Sequence, residues 1–221
     1  LGEQPTIFSE LRRRGMRCAA VGFWLPYTRT FARDAHCVDP RQVSAVRARL
    51  THEMVVQFLA LAGDSPVPVP GALRRIRDGL SRQAGVRDYQ AFVAAADRWA
   101  PEPAMHLTFL HAPVPHAPHI FDRGRGEVTA APRRTYLDNL VLADRLLARI
   151  RSAMEEEGEW DTTHVLVMSD HWWRERPAGL GGQDHRVPFM LKLEHQRAGR
   201  VYSRPFNTVL FHDLVLSLLS R

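Results

Sequence analysis

The chain predicts an α/β fold, a mostly parallel sheet flanked by helices on both faces. Three observations carry that expectation. Short apolar runs alternate with longer stretches of helical periodicity, the pattern of strand–helix units. The runs "CAAVGF", "AMHLTFLH", "HVLVMS" and "VPFMLKL" are almost continuously apolar, as strands covered on both faces are. The 221 residues suffice for one such domain with a substantial core, and neither an internal repeat nor a low-complexity tract interrupts them.

In chain order, Thr6 to Arg14 reads as a helix stopped by Gly15. Cys18 to Phe23 follows as a short buried strand. The next stretch, "WLPYTRTFARDAHCVDP", reads as a loop broken by Pro26 and Pro40. Pro40 to Leu61 carries Val43, Val46, Leu50, Met54 and Phe58 near helical spacing. "GDSPVPVPG" is a connector, after which Ala72 to Arg82 and Asp88 to Trp99 read as two shorter helices. Together these helices form an insertion over about residues 40–100 of a single domain spanning 1–221. A second strand, Ala104 to His111, runs into the loop "HAPVPHAPH". The long helix Thr135 to Glu157 places Tyr136, Leu140, Ala143, Leu147, Ile150 and Met154 on one face. Strands His164 to Ser169 and Val187 to Leu193 come next, and Asn207 to Leu219 is a final helix.

The net charge of +6 comes almost wholly from arginine, since Lys192 is the one lysine. Such a surface favours anions such as phosphate esters or acidic lipid headgroups, although a general preference for arginine gives the same charge without a ligand. The arginines are scattered over several predicted helices. Nucleic-acid binding, which wants a clustered basic stripe with interleaved aromatics, is not expected. Cys18 and Cys37 have neither CxxC nor zinc-finger spacing. They read as free thiols, with a disulfide open to an exported protein. No apolar run approaches the length that crosses a bilayer, and the first residues contain no apolar signal-peptide core.

In parallel α/β sheets the loops beyond the carboxyl ends of strands build the site. His111, His116, Asp170 and His171 all fall just beyond predicted strand ends. Asp and neutral His are sound ligands for zinc or manganese, and neighbours in a strand-end turn can reach one ion. On spacing alone, the pair reads first as a solvated loop and only second as a metal site. "HAPVPHAPH" holds three histidines stiffened by three prolines. His111 and His116 could ligate a metal, bind an anionic ester or protonate a leaving group; His119 reads as incidental.

Taken together, "FLHAPVPHAPHIFD", "YLDNLVLADRLLARI", "EWDTTHVLVMSDH", "QDHRVPFMLKL" and "FNTVLFHDLVLSLL" resemble, in that order, the C-terminal half of a sulfatase-like domain of the alkaline phosphatase superfamily. Membrane-anchored phosphoethanolamine transferases and lipoteichoic-acid-type synthases belong to that group. "PTIFSELRRRGMRCAAVGFWLPYTR" is similar to the helix–strand step after the superfamily's nucleophile region. The resemblance covers nearly the whole chain, most weakly over Pro40 to Trp99.

The resemblance implies an alkaline-phosphatase-like fold and a divalent metal, zinc, manganese or calcium. It makes Asp170 and His171 ligands of the ion that activates a nucleophile. His111 and His116 then face the anionic or leaving group of a phosphate or sulfate ester. His185, in "DHRVP", approaches the site, while Arg186 is structural. By the same resemblance the parent protein works in the cell envelope, with membrane association through segments before Leu1.

Two departures stand out. Trp172 occupies the place of the glycine that usually follows the Asp-His pair. The family's N-terminal acidic ligand and its Thr, Ser or Cys nucleophile are not found, nor is a Cys/Ser-x-Pro-x-Arg motif. With a start at Leu1, the chain reads as the C-terminal portion of a longer protein, with an incomplete N-terminus, weak metal affinity and little turnover alone. Three readings follow. The parent hydrolyses a phosphate or sulfate ester, or transfers phosphoethanolamine or phosphoglycerol to a lipid or glycan, or the domain binds without catalysis.

Overall fold

The computed structural model describes residues 5–22, 27–38, 71–172 and 185–220. The expected helix Pro40–Leu61 and the "GDSPVPVPG" connector up to Pro70 lie outside the described residues, as does Trp173. The chain divides into two compact units, Leu1–Ala153 and Met154–Arg221.

The first unit begins with helix α1, Ile7–Arg13, which is closed at its start by a reciprocal cap. Ser9 N donates to Thr6 Oγ1 (3.1 Å) and Thr6 N donates to Ser9 Oγ (2.9 Å), satisfying two amides that the helix itself leaves open. The chain leaves α1 through Gly15 at φ +75°, a left-handed turn that favours glycine. Strand β1, Cys18–Val21, is buried along its whole length. It lies at the centre of a parallel sheet of order β2-β1-β3, with β2 at His36–Val38 and β3 at Leu107–Leu110. The register pairs Ala19 with His36 and Val21 with Val38 on one side, Cys18 with Leu107 and Val21 with Leu110 on the other. This parallel sheet flanked by helices is the α/β architecture expected from the alternation of elements.

Two local expectations are corrected here, and one element is new. The stretch read as one loop contains a short helix α2, Tyr27–Thr30, and the strand β2. Three residues are too few for periodicity to show, and β2 exists through its pairing to β1. The two helices expected over 72–99 are one, α3, Gly71–Trp99. Gly85 in its middle costs about 1 kcal/mol relative to alanine. It is needed, because a Cβ there would lie 2.5 Å from Pro118 Cγ. Finally, a two-stranded hairpin, β4 (Phe121–Asp122) with β5 (Glu127–Val128), follows the histidine-rich loop. Its turn is closed by Asp122 Oδ1, which accepts from the amides of Gly124 and Arg125 at 3.0 Å each.

The core joins Val21 of β1 and Phe92 and Ala96 of α3 to Ile120 and Phe121. The long helix α4, Tyr136–Glu156, adds Leu142 and Leu146. The inward face of α4 is rotated from the expected one. Asp138 and Asn139 are buried with Leu142, while Leu140 is 45% exposed. Polar groups take these inward positions because they have fixed partners there, and hydropathy alone conceals such a face.

In the second unit, strands β6 (Val165–Met168) and β7 (Phe189–Lys192) pair antiparallel, Val165 with Lys192 and Met168 with Phe189. Both are half-buried rather than buried. A 3₁₀ turn at Thr208–Leu210 is capped by Asn207, whose Oδ1 accepts from Val209 N at 3.0 Å, and leads into α5, Phe211–Leu218. Among the described residues no helix is long and apolar enough to cross a membrane.

Candidate active site

The loop after β3 carries His111, His116 and His119 of the first unit. His111 extends the sheet by donating its amide to Val21 O (2.8 Å). Its Nδ1 lies 2.7 Å from the phenol of buried Tyr27, whose ring meets the imidazole edge-on. Glycine is required at position 22, since a Cβ there would stand 2.7 Å from the Tyr27 ring and 3.0 Å from His111 Cβ. His116 is exposed, and its Nδ1 lies 2.6 Å from Ala117 O. A carbonyl only accepts, so Nδ1 carries the hydrogen and Nε2 is the acceptor of the neutral ring. His119, read as incidental, has an inaccessible Nε2 without a partner among the described residues.

This loop contains cis peptides at Val114–Pro115 and Ala117–Pro118. Asn139 of α4, fully buried, reaches into it. Its Oδ1 accepts from Ile120 N (2.8 Å), and its Nδ2 donates to the carbonyls of His116 (2.9 Å), Pro118 (3.2 Å) and Pro115 (3.4 Å). Next to it, Asp138 accepts from the amide and hydroxyl of Thr135 at 2.8 Å each and pairs with Arg123 at 3.1 Å. Burial pushes the Asp138 carboxyl up. The Thr135 bonds, with Arg123 and Arg134, outweigh that and hold it below the usual carboxylate range.

In the second unit, Asp170 and His171 follow directly on β6. Ser169 Oγ donates to His171 O (2.7 Å), bracing the turn. His171 Nδ1 donates to Trp172 O (2.7 Å), which leaves the Nε2 lone pair of the neutral ring as the ligand atom. That Nε2 is 3.9 Å from Asp170 Oδ2. Two ligands each about 2.1 Å from one ion are separated by ~3.4 Å at a tetrahedral angle and by at most ~4.2 Å. The pair therefore fits one cation with a small movement of Asp170, whose side chain is mostly exposed. Among the described residues no group of three or more His, Cys, Asp or Glu gathers around such a point.

Trp172, at the position where glycine is usual, lies flat on His185, with ring centroids 4.2 Å apart and planes 9° from parallel. Asp170, His171, Trp172 and His185 thus belong to one unit, and His111 and His116 to the other.

Neither cysteine is an activated nucleophile. Burial in β1 raises the Cys18 thiol to about 11, and Cys37, in β2 rather than in a loop, is raised by burial and by Asp34. Both are free thiols.

The Sulfatase family model matches residues 3–220. The chain belongs to the sulfatase family. No curated protein and no solved structure matches it. A sulfatase-family domain has a hydrolase or transferase kind of function. Members of the sulfatase family generally use a divalent metal and act on sulfate esters. Two residues of this sulfatase domain that sequence reasoning passed over are Asn139 and Tyr27. A lone asparagine in the apolar spacing of "NLVLADRL" was the only signal for the first.

Proposed function

We propose that this domain serves the metal-dependent hydrolysis of a phosphate or sulfate ester, with Asp170 and His171 as part of the metal site. The observation that carries the proposal is the His171 Nδ1–H bond to Trp172 O. It sets the tautomer in which Nε2, beside the Asp170 carboxylate, is a ligand. A bound divalent cation would polarise an ester oxygen and lower the pKa of a nucleophile.

The remaining roles fall to three histidines. His116, with Nδ1 already donating, offers Nε2 as acceptor when neutral and as donor to an anionic oxygen when protonated. His111, braced by Tyr27, faces the ester group or its leaving group. His185 is held by stacking beside the Asp-His pair. Cys18 and Cys37 take no nucleophilic part.

The test is titration of the chain with manganese or zinc, followed by calorimetry, for the native sequence and for Asp170→Ala and His171→Ala. Each variant is expected to weaken binding about tenfold or more. Native affinity in both removes the metal assignment. A second reading, a binding domain without catalysis, is favoured by one observation: Trp172 fills the glycine position and engages His185. Cleavage of an aryl sulfate or phosphate by the intact protein, lost on Asp170→Ala, excludes it.

A further inference from the structure

We infer that Asn139 is a positioning residue for the histidine-rich loop, fixing the backbone from which His116 presents its ring. The inference rests on the proposed function for the role of His116 and extends it to a residue with no ligand contact of its own.

The loop lacks the means to order itself. Pro113, Pro115 and Pro118 have no amide hydrogen, so this segment is short of donors while keeping every carbonyl acceptor. Asn139 supplies what is missing. A primary amide has two donors and one acceptor oxygen. Here the donors meet carbonyls of Pro115, His116 and Pro118, and the oxygen takes the Ile120 amide. A leucine on this face of α4 would fill the same space, but would leave those groups without the partners they have here.

The link to function runs through His116. Asn139 holds the His116 carbonyl itself, and the next carbonyl, Ala117 O, fixes the His116 ring through Nδ1. The same two peptide groups therefore set the ring's direction and its tautomer. A second clamp acts from α3, where Pro118 packs into the space left by Gly85. At the loop's start, His111 is tied separately to Tyr27 and Val21. Disturbing Asn139 should accordingly move His116 and leave His111 in place.

Asn139→Asp keeps the shape and the acceptor for Ile120 N but removes both N–H donors. Gly85→Ala presses on Pro118 without touching Asn139, and it serves if the first variant does not fold. The readouts are the imidazole ¹⁵N signals of each histidine and their titration with sodium sulfate, beside His116→Ala. Folded Asn139→Asp or Gly85→Ala should shift the His116 ring signals, leave those of His111, and weaken sulfate binding about tenfold, the scale on which orienting partners act. Native His116 signals and native sulfate affinity in a folded variant overturn the inference. Native sulfate affinity in His116→Ala overturns the anion-binding role of His116, while a shift of its ring in Asn139→Asp would still uphold the positioning.

Discussion

His111 and His116 in the first unit, and Asp170 and His171 in the second, are placed by different means. The loop of the first unit is held from outside, by a buried asparagine on α4, a proline seat on α3 and a buried tyrosine. Among the described residues, the turn of the second is braced by hydrogen bonds between near neighbours, Ser169 Oγ to His171 O and His171 Nδ1 to Trp172 O, with Trp172 stacked on His185. Long-range bonds to a packed core fix a side chain independently of any ligand. Bonds along two or three residues fix its tautomer and leave its position adjustable, which suits ligands that close on an ion.

The contrast can be broken most sharply by truncating one apolar side chain to alanine in each unit. Phe92→Ala, in the fully buried core of the first, should lower stability by about 3–5 kcal/mol. Met190→Ala, on half-exposed β7, should cost less than ~1 kcal/mol by the same denaturant measurement. Comparable losses would show that the second unit is packed as tightly as the first.

The buried thiol gives the next largest effect. Cys18 has a folded pKa of about 11 against an ordinary 9.0, so its contribution is fully present below pH 9 and is lost as pH rises toward 11. The loss amounts to roughly 2–3 kcal/mol. Melting curves at neutral and alkaline pH should show it in the native chain and not in Cys18→Ala.

Asp170→Ala should weaken manganese or zinc about tenfold or more while shifting the melting temperature by less than ~2 °C, since the side chain is mostly exposed. A large stability loss would mean that the turn depends on the carboxylate as the first unit depends on Asn139. The smallest effect is acidic. Asp138 has its pKa held down in the fold, so its stabilisation is present above the ordinary value of 3.8 and is lost as pH falls through the lowered one. Thr135→Val should move the acid unfolding midpoint upward.

The sheet of the first unit was legible where apolar runs were continuous, as in "CAAV" and "LTFL". β2 and the hairpin β4–β5 were not, because strands of two or three residues hold through partners distant in sequence. The buried face of α4 was misplaced because Asp138 and Asn139 count as polar until their partners are seen. Asp170 and His171 could be placed at a strand end, and they do follow β6. The support for His111 and His116 could not be foreseen. Tyr27 and Asn139 reach them across 84 and 23 residues, and no local pattern records such contacts.

Lys192, the sole lysine, donates to the carbonyls of Trp160 (2.6 Å), Thr163 (2.9 Å) and Leu193 (3.2 Å), with its ammonium over the Trp160 ring. All three of its hydrogens are committed. Amine-directed reagents, which need a released Nζ, should therefore modify this side chain slowly. Lysine bearing an isotopic label would give one spectral line, a native reporter for the turn that leads into β6 and on to the Asp-His pair.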